Sequence, residues 1–166
     1  MHTSNVSTTI KAFKELVQFG YSSNKSDLIL NLDAIQECFD RNDFENALSL
    51  EKQLSFSFHK SDEKAEKEFK FILKNQIINA HIEFLNDEAK EFNTLAFSLS
   101  PNNFQHDNNY SAIKQFNDNE LNRFIREIGA AHIVLKDAII HLFNLSLKRN
   151  EQIKFLKKDL ADIIHP

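Results

Sequence analysis

Glycine and proline are nearly missing from this chain, which has only Gly20, Gly129, Pro101 and Pro166 in 166 residues. Sheets and βαβ units spend such residues on their tight turns, so the shortage argues against strands and predicts an all-α protein. Cysteine occurs once, at Cys38, which excludes an internal disulfide and any multi-cysteine metal site. Long apolar runs are also lacking. Charged or amide residues recur every few positions, so no window approaches the roughly 18 unbroken apolar residues of a membrane span. Met1-His2-Thr3-Ser4-Asn5 shows no basic region followed by an apolar core, and a cytoplasmic location is expected.

Positive charge is not in excess either. A formal net charge of −4 gives no electrostatic footprint for nucleic acid, because phosphate binding needs a clustered positive surface. The densest basic cluster, Lys148, Arg149, Lys154, Lys157 and Lys158, is interrupted by Glu151 and Asp159, as on a solvated helix face.

What the chain does have is phenylalanine, 16 copies against no tryptophan. Large rings on helices serve as core or interface anchors. The length suits one helical domain over residues 1–166. The pattern reads as an antiparallel helical bundle with long helices and an extended C-terminal helix.

A first helix is predicted over Thr8–Phe19, with Ser7 or Thr8 as N-cap, Ile10, Phe13, Leu16 and Val17 as its apolar stripe, and Gly20 as its stop. After a polar connection over Tyr21–Lys25, a second helix is expected from Asp27, capped by Ser26, to Arg41, burying Leu28, Leu32, Ile35 and Phe39 with Cys38 beside them. Asn42 tolerates the left-handed conformation that closes a helix, and Asp43 can cap the next one. The two helices on either side are then antiparallel. The third helix is expected to turn Phe44, Ala47, Leu48, Leu50, Leu54 and Phe58 inward.

A long fourth helix is predicted from Asp62 to Leu99, with Phe69, Ile72, Leu73, Ile77, Ala80, Phe84, Phe92, Leu95 and Leu99 at three- and four-residue intervals and a bend allowed at Asp87–Glu91. Its length would reach roughly 55 Å. Pro101 and the asparagines that follow it make Ser100–Asp118 the one long loop. The last helix is expected from Asn119 to Ile164, carrying a coiled-coil-like seam of Leu121, Phe124, Ile128, Ala131, Leu135, Ala138, Leu142 and Leu145 that resumes at Ile153, Leu156, Leu160 and Ile163. Arg149 and Gln152 interrupt that seam and make Asn150 the expected point of a break. A helix reaching beyond a compact bundle must cover its apolar stripe, so a homodimer fits the pattern.

The turn Asp43-Phe44-Glu45-Asn46-Ala47-Leu48 is similar to that of a tetratricopeptide repeat, but no second copy lies about 34 residues away. Catalytic chemistry fares no better. His132 and His141 fall on opposite faces of one helix at about 100° per residue. His81 and Glu88 share a face but make only two ligands, so no metal and no cofactor is expected. No two glycines lie close enough to cradle a phosphate. Glu66 with Glu68 and Asp87 with Glu88 sit among lysines, as surface carboxylates do.

Two enzymatic or signalling alternatives attach to His132. Beside Gly129-Ala130-Ala131 it resembles the histidine of phosphotransfer bundles, but Leu135 and Lys136 stand where that family places a lysine and a small residue. Arg126 followed by His132 also resembles the short Arg–His motif of the HEPN ribonucleases, helical proteins that pair these side chains across a dimer to cleave RNA, so a HEPN-like ribonuclease or a toxin/antitoxin-type protein is the enzymatic alternative. There Glu127 stands where a polar residue is usual, and it would oppose RNA. Arg126 and His132 form the alternative site.

From Leu28 to Tyr110 the order of features resembles small flagellar export chaperones of the FliT type. Asn42-Asp43-Phe44-Glu45 stands where that family writes Gly-Asp-Trp-Glu, Ala47-Leu48-Ser49-Leu50-Glu51 follows, and Phe69-Lys70-Phe71-Ile72-Leu73-Lys74-Asn75-Gln76-Ile77 matches its long helix. Phe44 departs from the family tryptophan, and the helix after Asn119 is longer than the family's tail. The resemblance implies a non-enzymatic chaperone or regulator that shields a helical segment of a protein partner. It puts Phe44, Leu48, Ile72, Ile77 and Phe84 on a groove for an amphipathic helix.

Overall fold

The computed structural model describes residues 2–19, 25–54, 63–99, 126 and 136–164. Among them are five α-helices and no strand: α1 (His2–Phe19), α2 (Lys25–Asp40), α3 (Phe44–Gln53), α4 (Glu63–Leu99) and α5 (Lys136–Ile164). The expected Ser100–Asp118 loop, the first part of the last helix over 119–135 apart from Arg126, Phe58 and His132 lie outside the described residues. The chain divides into two compact units, Met1–Glu83 with Lys158–Pro166, and Phe84–Lys157.

In the first unit, α1 begins earlier than its cap residues suggest. Val6 is fully buried, one turn before Ile10, and that burial outweighs the weak helix propensity of the Ser, Thr and Asn residues around it. The buried stripe is Val6, Ile10, Phe13 and Val17, whereas Leu16 is 64% exposed. The expected stripe was therefore right in three positions and wrong at Leu16, which lies about 100° round the helix from Val17. Lys14 on α1 pairs with Asp33 on α2, and Lys25 Nζ donates to the Gln18 carbonyl at the end of α1. α2 starts at Lys25, so Ser26 lies inside the helix rather than capping it. Its core residues Leu28, Leu32, Ile35, Cys38 and Phe39 are buried as expected. Burying each large apolar side chain contributes roughly 1.5–3 kcal/mol.

The α2–α3 turn is built by local chemistry. Asn42 takes φ 58°, its N–H donates to the Phe39 carbonyl at 3.0 Å, and the Asp43 N–H donates to the Cys38 carbonyl at 2.8 Å. That is a Schellman motif, with the left-handed residue just past the helix end. Asp43 then caps α3, accepting from the Asn46 backbone N–H at 3.4 Å and from Asn46 Nδ2 at 2.7 Å. With the carbonyls of α2 and the amides of α3 satisfied within two residues, α3 packs back along α2. Phe39 and Phe44 meet edge to face across the turn, 5.5 Å between centroids.

α4 is one continuous helix of 37 residues, with no interruption at Asp87–Glu91. In the first unit it buries Phe69, Leu73, Ile77 and Ala80 on one side and Ile78 and Ile82 on the other. Phe13 of α1 stacks on Phe69, 3.4 Å between centroids. Ile72 is 46% exposed and stands outside the stripe. In the second unit α4 buries Leu85, Ala89, Asn93 and Ala96, while Leu95, expected inside, is exposed.

α5 runs for 29 residues without a break at Asn150. Its buried positions are Ile139, Phe143, Ser146 and Ile153. The seam is thus turned by one residue from the expected one, leaving Ala138 exposed and Leu142 and Leu145 half-buried. Adjacent apolar residues such as Leu142 and Phe143 permit either phase, and the larger ring takes the interior.

Candidate functional site

The residues proposed to line a groove do not share one environment. In the first unit, Phe44 is buried at the start of α3, its ring stacked on His81 with centroids 5.0 Å apart. Ile77 is fully buried in α4. Both are core side chains. Leu48 is half-buried on α3, and Ile72 is the one of these four that meets solvent broadly. Phe71 beside it is also 44% exposed. Phe84, in the second unit, is half-buried.

Phe71 and Ile72 are about 100° apart on α4 and lie on the side of the helix turned away from Leu73 and Ile77. Exposed Asn79 is two turns further along that side, and Asn75 lies between, with its Oδ1 buried and not hydrogen-bonded. The result is an exposed apolar pair on a side of α4 that also carries the exposed Asn79. Such a face can accept an apolar helix stripe. The sequence carried a signal for this exposure: a helix stripe passing through Phe69, Leu73 and Ile77 has no room for both Phe71 and Ile72.

The electrostatic feature of this unit is Glu51. It is 4% exposed on α3, in the turn spacing of Phe44, Ala47 and Leu54. Burial pushes its carboxyl above the ordinary value, and the positive charges of Lys70 and Lys74 on α4 pull it back. Lys70 Nζ also donates to the Leu54 carbonyl at 2.7 Å. Glu51 and Lys70 therefore fasten the end of α3 to α4. The carboxyl thus faces the charges of two lysines where solvent is largely excluded.

Among the described residues no group of three or more His, Cys, Asp or Glu side chains is placed to hold a metal. Each member of the His81 and Glu88 pair has another partner: His81 stacks on Phe44, and Glu88 accepts from Arg149. Cys38 is buried and free. Arg126 is exposed, and its proposed partner His132 lies outside the described residues. No helix among those described is long and apolar enough to cross a membrane.

These features define the class as an all-α helical bundle whose helices pack on one another, with large apolar side chains left open on α4. No known protein family, curated protein or solved structure matches the chain.

Proposed function

We propose that the protein is a non-enzymatic binding bundle that shields an amphipathic helical segment of a protein partner, as a chaperone or regulator. The observation that carries this reading is the side-by-side exposure of Phe71 and Ile72 at 44% and 46% on α4, where the other large apolar residues of the unit, Phe69, Leu73, Ile77, Ile78 and Ile82, are buried. Leaving two large apolar side chains in water is unfavourable by the area they expose, and an amphipathic helix laid against them would bury them with its own stripe. The order of features from Leu28 to Tyr110 supports the more specific reading of a flagellar export chaperone, working in the cytoplasm on a secreted filament subunit.

The test is calorimetric titration of the full chain with amphipathic helical peptides, including C-terminal helices of secreted filament subunits. Binding is expected for peptides with apolar residues at i, i+3, i+4 and i+7, and the double change Phe71→Ser and Ile72→Ser should abolish it while leaving the melting temperature near that of the parent. Absence of heat with every peptide, or binding that survives the double change, overturns the proposal.

A further inference from the structure

The seam side of α5 is turned inward, where Ile139, Phe143, Ser146 and Ile153 are buried. The opposite side carries one large ring in water. Phe155 is 72% exposed, and it lies at least about 120° round the helix from those four residues.

Charge is arranged about this ring in a definite order. Between positions 148 and 162, the charged residues within about 60° of Phe155 round the helix are Lys148, Glu151, Lys158, Asp159 and Asp162, and all five are exposed. α5 is one unbroken helix through these positions. Among the described residues none of the five enters an ion pair.

At a rise of about 1.5 Å per residue, Lys148 lies about 10 Å before Phe155 and Asp162 about 10 Å after it, while Glu151 lies about 6 Å before and Lys158 about 5 Å after. Turning the helix end for end about Phe155 therefore exchanges these positions for ones of opposite charge. A second α5 laid antiparallel on this face, with the two Phe155 rings meeting at a twofold axis, sets Lys148 against the Asp162 of the other copy and Glu151 against its Lys158, and each pair occurs twice. Glu151 and Lys158 lie to the same side of Phe155, and the twofold keeps them on that side in the facing helix, so the pair closes without crossing the interface. Asp159, on the other side, meets Gln152 of the other copy. Arg149 Nη1 donates to Gln152 Oε1 at 3.1 Å, which leaves the Gln152 amide N–H to donate to that carboxylate. A parallel pairing would instead set each charge against its own kind, which is repulsive.

We propose that this outer face of α5 is a homodimer surface, on which a second copy of the chain seats antiparallel about Phe155. The complementarity of the face with itself names the occupant. One helix face over about four turns makes a small interface, so the dimer forms reversibly with concentration and weakens in salt. It does not involve the exposed pair on α4 and stands whether or not that pair binds a partner.

The test is sedimentation equilibrium of the full chain from about 1 µM to about 1 mM, at low and high salt. The mass is expected to rise from 19.3 kDa towards twice that value, with association at least about tenfold weaker in high salt. Glu151→Lys and Lys158→Glu, each alone, oppose like charges twice and should weaken association at least about tenfold. The two changes together restore the pairing with signs exchanged and should return association to near the parent's. Phe155→Ser should abolish it, while Phe71→Ser with Ile72→Ser should leave it unchanged. Every altered side chain is exposed, and an unchanged melting curve by circular dichroism confirms that each variant folds. A parent that stays monomeric up to about 1 mM overturns the proposal, as does a dimer that either single charge change leaves intact, that the double change does not restore, or that is lost with Phe71 and Ile72.

Discussion

Phe44 lies flat on His81, ring planes 18° apart, while the ring of Phe39 meets it at 87°. Helices α2, α3 and α4 thus converge on one side chain placed by the capped turn at Asp43. Removing the ring leaves a cavity bounded by three helices that cannot all close on it, so Phe44→Ala should cost about 3–5 kcal/mol. Urea unfolding followed by circular dichroism checks this. An unchanged midpoint would mean that the ring is not a core anchor.

The turn itself makes a second, residue-specific prediction. Asn42 sits at φ 58°, where a Cβ meets the following carbonyl and only glycine or a short polar side chain is comfortable. Asn42→Ala should destabilise by about 1 kcal/mol, and Asn42→Gly should be close to neutral. Asp43→Ala removes the cap on Asn46 and should also cost about 1 kcal/mol. If alanine and glycine at position 42 give the same urea midpoint, the left-handed conformation is not what selects asparagine there.

That turn was legible in the sequence because its physics is local. A left-handed asparagine followed by a capping aspartate needs no distant partner, so residue types alone announce it. The α2 core was legible for a related reason, since Leu28, Leu32, Ile35 and Phe39 admit only one buried phase. Leu16, Ile72 and Leu95 were misplaced because each has an apolar neighbour, or one two positions away, and a helix stripe can then turn by a residue or so at little cost. Glu51, Asn93 and Ser146 were invisible for a deeper reason. Polar residues at seam spacing read as solvent-facing, and only the packing of another helix shows that they are enclosed. Of the residues named for the groove, Phe44 and Ile77 are buried and Ile72 is exposed, and periodicity could not separate them because all three recur at helical spacing.

The Arg149–Glu88 pair offers a third measurement. Both side chains are about a quarter exposed, so the pair is screened less than a surface ion pair but is not deeply buried. A double-mutant cycle with Glu88→Gln and Arg149→Met should give a coupling of about 0.5–1 kcal/mol. It should shrink in high salt, because partly exposed charges are screened. Zero coupling at low salt would mean that the pair does not help to hold α4 to α5.

Glu51 links stability to pH, and the direction follows from its burial. Its carboxyl titrates above the ordinary 4.5 in the folded chain, with burial the largest cause and Lys70 and Lys74 opposing it. Between the ordinary value and the raised one, the folded chain keeps a proton that the unfolded chain has lost. The unfolded state then binds fewer protons, so this group's contribution to stability declines as pH rises through that window and is constant on either side of it. Glu51→Gln removes the titration while keeping the shape. The glutamine variant should therefore gain on the parent as pH is raised from about 4 to about 7, measured as the difference in urea unfolding free energy at each pH. Lys70→Met, which deletes one of the charges holding the carboxylate, should widen that gap. A difference independent of pH would show that the two lysines fully offset the burial of Glu51.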